Sequence, residues 1–374
     1  MVVAITSVGM IGCATALAGG PAEVRVLIYD STDPVPIGSP KKTEKVRASH
    51  DNLLIGERSL GRVWAPKGSG PWRVGSRTVR GRIAVRAKKG RVQVLNRVEL
   101  EAYVASTVGG EMSPSWPREA LRAQAVAART YVLHEAGKRR KSDWDVKATV
   151  ASQVYRGIAA ESKETRSAAH ATRGEVLTYR GKPILAVFHS TAGGRTATAG
   201  EVWGQDLPYL TVVEVQEEDD APHTYWRTEF STEGLSKVLE AAGVQVSGLQ
   251  AVAVTRRTAS GRVERITFRG KTCAVELSES SLKGLISSLG LRSTLFDVRS
   301  TTDGFAFVGS GFGHGVGMSQ WGARSLAERG ESYQRILARF YPGTRLENWK
   351  SRRVAASKSS MEETRDGFPR GEMR

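Results

Sequence analysis

The sequence predicts an α+β fold: a β-rich N-terminal portion, then a helical segment packed on mixed or antiparallel strands, with an α/β insertion. Three observations support this prediction. Residues 23–97 alternate apolar and polar positions between Gly, Pro and Lys turn signals, which is typical of short strands. Residues 115–137 are rich in Ala, Leu and Arg, which favour a helix. Residues 212–300 mix both patterns, so we expect an inserted α/β unit there.

These patterns divide the chain into five regions. Its 374 residues suffice for two domains, or for one domain with a large insertion. The last region is charged and lacks apolar periodicity, which predicts disorder. The predicted regions are an export segment at 1–22, the β-rich portion at 23–97, a core built from 98–211 and 301–349, the insertion at 212–300, and the tail at 350–374.

Composition excludes a disordered chain and indicates a polyanionic partner. An apolar fraction of 40%, with 8 Trp, 9 Tyr and 9 Phe, is enough for a sizeable core. Lys and Arg outnumber Asp and Glu by 55 to 38, which gives a net charge of +17. This excess suits nucleic acid, a membrane surface or an acidic cell-wall polymer. An arginine-rich surface without such a partner is the alternative.

The N-terminus predicts export to the periplasm or cell envelope. Residues 2–18 carry no charged side chain and end on Ala16-Leu17-Ala18, which resembles a signal-peptidase site. The stretch is shorter than the roughly 20 apolar residues that a membrane span needs. Because a positive N-terminal region is missing, an atypical signal and a misassigned start both stay open. The residues ending at Cys13 loosely resemble a lipoprotein box, so a lipid or membrane tether is a further alternative.

The two cysteines, Cys13 and Cys273, predict no disulfide framework. Cys13 leaves with the signal or carries the lipid. Cys273 lies in a strand-like stretch and is predicted to be buried in the core.

Glu111 is the sharpest local candidate for chemistry. It lies between a short helix predicted over Val98–Val108, which should end at Gly109-Gly110, and the longer helix predicted over 115–137. The C-terminal dipole of the first helix would raise the pKa of this carboxyl, whereas the N-terminal dipole of the second would lower it. A raised pKa suits a general acid that protonates a glycosidic oxygen. A helix-capping glutamate without chemistry is the structural alternative.

The stretch "GSGFGHGVGMSQWG" carries a glycine at every second position from Gly309 to Gly317, with His314 in the middle. No register matches a dinucleotide fingerprint, and the Gly-Lys-Ser/Thr sequence of a phosphate-binding loop is missing. The period of two predicts a strand with one bare backbone face that another chain or a flat ligand can approach. A single histidine is a weak metal candidate, so a structural role and a binding cleft both stay open.

A polar, glycine-containing loop at 189–196 follows an apolar strand-like segment, which is a common place for a binding site. The serine of this loop does not lie in a G-x-S-x-G elbow. Trp203 and Tyr209, a little further on, could stack on a sugar ring, although single aromatic residues more often lie in a core.

Four stretches resemble, in order and spacing, the SpoIID/LytB family of sporulation stage II protein D lytic transglycosylases and amidase enhancers. They are "VELEAYVASTVGGEMSPSWPREALRAQAVAARTY", "ASQVYRG", "AVFHSTAGGRTATAGEVWGQDLPYL" and "GFGHGVGMSQWGARSLAERGESYQRILARFYPGT". The resemblance is weaker through 212–300. It implies cleavage of the β-1,4 bond between N-acetylmuramic acid and N-acetylglucosamine in peptidoglycan strands stripped of peptide. The product would carry a 1,6-anhydro-muramoyl end.

The resemblance places the family's catalytic glutamate on Glu111, which would protonate the leaving oxygen and then deprotonate the muramoyl 6-hydroxyl. One carboxylate serves both steps, whereas ordinary glycoside hydrolysis uses a pair. The further cleft residues that the resemblance implies are Gln124, Arg129, Tyr131, His189, Ser190, His314, Ser319 and Gln320. Arg122 and Arg129 lie seven positions apart, on similar sides of the helix. They would meet muramoyl carboxylates or form a solvated basic face.

The sequence departs from the family at one segment. Some members bind zinc through Cys and His residues just before the "QVY" motif, where this chain has Lys147, Ala151 and Ser152. We therefore expect no metal and no cofactor. The alternative function is a non-catalytic wall-binding module that stimulates a cell-wall amidase. Nucleic-acid binding would explain the charge but not the N-terminus or the motifs, so nucleic acid is not an expected partner.

Overall fold

The computed structural model describes residues 23–149, 152–216, 218 and 220–349. The predicted export segment at 1–22 and the predicted tail at 350–374 lie outside these residues. Within them helices and several sheets are combined, and the N-terminal portion is almost entirely β, so the predicted α+β fold is confirmed. No helix in the described ranges has the length and apolarity needed to cross a membrane.

The alternating sequence of the N-terminal portion forms two sheets. In β1, Val24, Val26 and Ile28 are buried, while the half-buried Arg25 pairs with the buried carboxylate of Asp145. The strands are β1 (Glu23–Ser31), β2 (Val35–Ser39), β3 (Lys42–Ser49), β4 (Asn52–Ile55), β5 (Arg58–Gly61), β6 (Val63–Trp64), β7 (Trp72–Val74), β8 (Arg77–Val79), β9 (Arg82–Lys88), β10 (Arg91–Glu99) and, later in the chain, β11 (Val146–Lys147). One sheet has the order β11-β1-β10-β9-β6 and the other β5-β4-β3-β2-β7-β8.

The alanine-rich segment forms the central helix of the molecule. This helix, α2, packs against neighbouring helices and strands, and Ala120, Ala123 and Ala127 have no exposed surface. Small side chains allow such close approach. The helices are α1 (Leu100–Glu111), α2 (Arg118–Lys138), α3 (Lys163–Ala171), α4 (Ala199–Trp203), α5 (Thr232–Ala241), α6 (Glu279–Ser288), α7 (Gln320–Glu328) and α8 (Tyr333–Phe340), with a single 3-10 turn at Ile158–Ala160. The predicted end of the first helix at Gly109-Gly110 is wrong, because α1 continues through both glycines.

Short strands connect the segments that the sequence singled out. A hairpin turns at Arg180-Gly181, and β14 pairs in parallel with β21, which sets His189 opposite Ser319. The remaining strands are β12 (Glu175–Tyr179), β13 (Lys182–Pro183), β14 (Phe188–His189), β15 (Tyr225–Ser231), β16 (Ala251–Arg257), β17 (Val263–Arg269), β18 (Ala274–Ser278), β19 (Phe296–Ser300), β20 (Gly304–Ser310), β21 (Met318–Ser319) and β22 (Arg345–Asn348). The parallel pair therefore joins the polar loop to the end of the glycine stretch.

The inserted region has a hydrophobic core of its own. This second cluster includes Trp226, Leu235, Phe268 and Phe307 and is distinct from the larger cluster that spans the sheets and α2. Because β20 pairs with β15 and β19, it packs within the insertion, so this unit extends beyond the predicted limit at 300. Cys273 lies at the surface of the insertion, and its predicted burial is wrong. The strand-like stretch around it forms the exposed end of a hairpin.

Candidate active site

Glu111 is the last residue of α1, where two glycines allow a loop to pack against the helix. A Cβ atom on Gly109 would lie 1.9 Å from the carbonyl oxygen of Ala160, and one on Gly110 would lie 2.4 Å from that of Val154. Only glycine permits this approach. The backbone N–H of Val154 then donates a hydrogen bond of 2.8 Å to Oε1 of Glu111. The glycines that were expected to stop the helix instead fix the carboxylate in place.

A cavity of about 460 Å³ opens in front of Glu111. Six separate stretches of the chain contribute to its wall, at 111, 131, 152–154, 187–190, 203 and 312–320. The lining residues are Glu111, Tyr131, Ser152, Val154, Val187, Phe188, His189, Ser190, Trp203, Phe312, Gly313, His314 and Gln320. Glu111 is the single carboxylate among these described lining residues, so any acid–base chemistry by a carboxyl group here falls to it.

Burial raises the pKa of the Glu111 carboxyl above its ordinary value, and this effect outweighs three that lower it. The lowering effects come from the Val154 N–H, the adjacent side-chain amide of Gln320 and the positive charge of Arg156. The sequence left open which helix dipole would set the direction of the pKa shift. In the structure, desolvation of the carboxyl sets it. A raised pKa retains the proton closer to neutral pH, as a general acid requires.

The glycine stretch is not the strand that its period of two predicts. Gly311, Gly313, Gly315 and Gly317 all have a positive φ, between 72° and 107°, and β20 already ends at Ser310. Each glycine therefore reverses the local backbone, a conformation that other residues rarely adopt. In the middle of the stretch, isolated bridges join Phe312 to Thr191 and Val316 to Ala197. The correct part of the prediction is the close backbone approach.

His189 and His314 are neutral imidazoles in the wall of the cavity, with their rings 5.6 Å apart. Nδ1 of His189 lies 3.1 Å from the Val316 carbonyl oxygen and must donate to it, whereas Nδ1 of His314 accepts from the Val316 N–H at 3.0 Å. Burial lowers the pKa of His189 well below its ordinary value and that of His314 to about 4. Nε2 of His189 is buried without a hydrogen-bond partner among the described residues.

Arg262, from the insertion, lies buried beneath the glycine stretch. Its Nη2 donates to the carbonyl oxygen of Ala192 at 3.1 Å, and a Cβ on Gly315 would lie 2.1 Å from the same nitrogen. Its charge helps to lower the pKa of both histidines, after the larger effect of burial on each. The insertion therefore contributes directly to the electrostatics of the cavity.

Comparison with known proteins identifies the family. The model described as Stage II sporulation protein (SpoIID) matches residues 88–179, and that of a domain of unknown function (DUF8618) matches 199–317. The chain is 34% identical to stage II sporulation protein D of Bacillus amyloliquefaciens over 67% of its own length and 74% of that protein. The chain is 32% identical to the Bacillus subtilis (strain 168) protein of that name, over 68% of its own length and 76% of that protein. The chain belongs to the SpoIID family.

An amidase enhancer of Bacillus subtilis (strain 168) is also similar to this SpoIID-family chain. The identity is 30% over 65% of this chain, which corresponds to only 40% of the enhancer. The relatives' names therefore include both a sporulation protein and an amidase enhancer.

Five of the cleft residues that the resemblance implied line the cavity of this SpoIID-family protein: Tyr131, His189, Ser190, His314 and Gln320. Parallel pairing of β14 with β21 brings the last four together, although they lie far apart in the sequence. Trp203, considered as a sugar platform, also lines the cavity, with 44% of its surface exposed. Tyr209, considered with it, is buried in the core.

Three implied residues of α2 lie away from the cavity. Arg129 is fully buried and pairs with Glu101, so its position corrects the expectation that it faces the cleft. Arg122 pairs with Glu119 at 2.7 Å, and Gln124 is fully buried. The seven-residue spacing did set both arginines on similar sides of the helix. Other elements of the core cover that side at Arg129, whereas the Arg122 side chain stays 26% exposed outside the cavity.

Ser319 supports the cavity wall from behind. It caps α7 by accepting the N–H of Gly322 at 3.2 Å, and its hydroxyl contacts the buried carboxylate of Glu218. Glu218 also accepts the backbone N–H groups of Ala192 and Gly193, both at 3.0 Å. Ser319 thus connects the polar loop to the helix that carries Gln320 and does not line the cavity.

Sequence reasoning missed Glu218, Arg262 and Phe312. The first two lie in the region where the resemblance is weakest, and no local motif marks them. Phe312 lies in the glycine stretch, for which the sequence predicts a strand, and its exposed ring lines the cavity. Of the segment where some relatives bind zinc, Ser152 lines the cavity, while Ala151 lies outside the described residues. No group of three His, Cys, Asp or Glu side chains suited to a metal occurs in the described ranges.

A larger cavity, of about 640 Å³, lies between the core and the insertion. Its two carboxylates are already engaged: Glu214 pairs with Arg195, and Glu218 is held by the hydrogen bonds described above. The smaller cavity is therefore the candidate site, because Glu111 is the carboxyl that lines it.

Proposed function

We propose that the protein is a peptidoglycan lytic transglycosylase that cleaves the bond between N-acetylmuramic acid and N-acetylglucosamine and leaves a 1,6-anhydro-muramoyl end. The observation that supports this most is the single carboxyl group of Glu111 at the cavity, with a pKa raised by burial. One group can act first as acid and then as base, whereas hydrolysis by water commonly uses two carboxyl groups.

In the first step the protonated Glu111 donates to the glycosidic oxygen as the bond from that oxygen to the muramoyl C1 breaks. Because the Val154 N–H engages Oε1, the proton is carried by the other oxygen, Oε2. In the second step the resulting carboxylate accepts the proton of the muramoyl 6-hydroxyl as its oxygen bonds to C1. The proton is returned to Glu111, so the cycle consumes no water.

The surroundings of Glu111 suit a glycan. Trp203 and Phe312 expose 44% and 39% of their surface at the cavity, and such rings pack well against sugar faces. The net charge of +17 favours an anionic polymer in its neighbourhood. We further propose that the protein acts in the cell envelope, because its substrate is found there and because residues 2–18 resemble an export signal.

The test compares purified wild-type protein with Glu111→Gln on sacculi from which an amidase has removed the peptides. Wild-type protein should release strands with anhydro-muramoyl ends, identified by mass spectrometry, and the variant should be slower by a factor of about 10² to 10⁴. Glu214→Gln, at an exposed carboxyl of the larger cavity, is the matched control and should keep full activity. Reducing ends in place of anhydro ends would indicate a hydrolase and refute the proposal.

The second candidate function is that of a non-catalytic amidase enhancer. It is favoured by the name of one relative, although that protein is much longer than the matched region. An enhancer would bind glycan strands and stimulate an amidase without releasing anhydro ends. In the same assay it would leave the sacculi intact without an amidase, and Glu111→Gln would stimulate the amidase as well as wild type.

A further inference from the structure

Three side chains form a basic, aromatic rim at one end of the cavity. Phe312 lines the cavity, and the guanidinium carbon of Arg292 lies 5.5 Å from the centroid of its ring. The His223 ring meets the same phenyl ring edge to face at 5.3 Å. We call Phe312, Arg292 and His223 the Phe312 rim. Two of the three come from the insertion, in a region whose family model carries no known function.

The backbone holds the Phe312 rim in a fixed position beside the cavity. Phe312 exchanges two hydrogen bonds with Thr191, of 2.8 and 3.1 Å, which ties it to the polar loop. The N–H of Gly313 donates to the carbonyl oxygen of Arg292 at 3.0 Å. The arginine is therefore anchored directly to the glycine stretch that carries His314.

Arg292 carries a positive charge that no carboxylate neutralises within the described part of the chain. Other arginines of this region are paired, as Arg227 is with Glu229 and Arg257 with Asp297. Burial lowers the pKa of His223, and the nearby charge of Arg292 lowers it further. A guanidinium without a partner beside an aromatic ring suits a carboxylate attached to a sugar, since it can bind both carboxylate oxygens.

We propose that Arg292 binds the free lactyl carboxylate of a muramoyl residue while Phe312 packs against the sugar. This inference rests on the proposed function, because it assumes a glycan in the cavity. In strands that still carry peptides, the same lactyl carbon is part of an amide and has no charge. Arg292 therefore acts as a specificity-determining residue that favours peptide-stripped strands. It takes the role that the sequence suggested for Arg122 and Arg129.

The experiment measures binding in the Glu111→Gln background, so that turnover does not intervene. Isothermal titration calorimetry compares peptide-stripped glycan oligosaccharides with the same oligosaccharides after chemical amidation of their lactyl carboxylates. The parent should prefer the charged ligand by about ten-fold or more, as expected for a charge-assisted hydrogen bond. Adding Arg292→Gln should remove this preference and leave the affinity for the amidated ligand unchanged. Arg299→Gln, an exposed arginine of the same insertion, should keep the preference.

Two results would overturn the inference: a parent that binds both ligands equally or neither, and an Arg292→Gln variant that retains the full preference. Arg292→Lys gives a further readout, since it keeps the charge but loses the planar fork and should retain only part of the preference. The proposed function is judged separately, by the release of anhydro ends from wild-type protein. Anhydro ends together with an unaffected preference would leave the function standing and refute the role of Arg292.

Discussion

Replacing Arg129 by methionine should lower the stability of the protein and leave its affinity for glycan unchanged. The guanidinium is fully buried, and its Nε and Nη2 bind the two oxygens of Glu101 at 3.0 and 2.5 Å. It also donates to the carbonyl oxygens of Ala169 and Glu175, at 3.0 and 3.2 Å. One side chain thus ties α2 to α1, to α3 and to the start of β12.

The expected cost follows from what methionine leaves behind. Methionine fills similar space but leaves the mostly buried carboxylate of Glu101, with 15% of its side chain exposed, without its cation. Breaking a buried pair on one side costs about 3–5 kcal/mol. For a folding unit of about 150–250 residues, each kcal/mol lowers the melting temperature by about 2–4 °C, so we expect a fall of about 6 °C or more.

Thermal unfolding followed by circular dichroism measures this change, and titration with glycan oligosaccharides measures binding. The control is Arg139→Met just after α2, whose side chain is 46% exposed in its ion pair with Glu135 and should therefore contribute at most about 1 kcal/mol. Combining Arg129→Met with Glu101→Gln should recover part of the loss, since no unpaired charge then remains buried. A stable Arg129→Met protein with weakened glycan binding would refute this reasoning and return Arg129 to the cleft.

Two further predictions concern the cavity. Burial raises the pKa of Glu111, so the folded protein loses stability as the pH rises through that pKa and the neutral carboxyl ionises. Glutamine stays neutral at every pH. Glu111→Gln should therefore be more stable than wild type at pH 7, by about 0.5–2 kcal/mol. Thermal unfolding at pH 7 and below about pH 4 measures this difference in stability. The advantage of the variant should vanish at the lower pH, where the unfolded carboxyl is also protonated, and an advantage that grows with acid would contradict the prediction. Gly315→Ala should destabilise more than Gly330→Ala, although both glycines have positive φ, because only at Gly315 would a Cβ meet Arg262. Equal denaturation midpoints for the two variants would show that this contact can relax.

Much of the fold could be predicted because its signals are local. Alternating apolar residues gave the strands of the N-terminal portion, and helix formers gave α2. The glycine stretch shows where such reasoning ends. A spacing of two fits an extended strand, but it fits equally a chain in which Gly311, Gly313, Gly315 and Gly317 each take a left-handed conformation. What selects the second is the packing of Ala192, His189, Arg262 and Val187 against these glycines, and all four come from distant parts of the sequence.

The helix α2 illustrates the same limit for the site. Periodicity states which residues share a side of a helix but not what covers that side. The many alanines of α2 were a usable signal, because a helix with small side chains all round is one that other elements approach closely. Arg129 on such a helix is more simply a buried cross-link than a ligand for substrate. Tyr131 reaches the cavity because it is one of the few α2 residues in this stretch that is not fully enclosed.

The insertion and the core cannot be assigned separate roles at this site. Burial lowers the pKa of both His189 and His314, and the charge of Arg262, which lies under Gly315, adds a smaller effect in the same direction. Two neutral imidazoles add no positive charge to the cavity wall, and an added positive charge would lower the pKa of the Glu111 carboxyl. A protonated histidine pair would therefore oppose the acid step proposed for Glu111. On this argument the insertion helps to preserve the raised pKa of Glu111 through its effect on the two histidines.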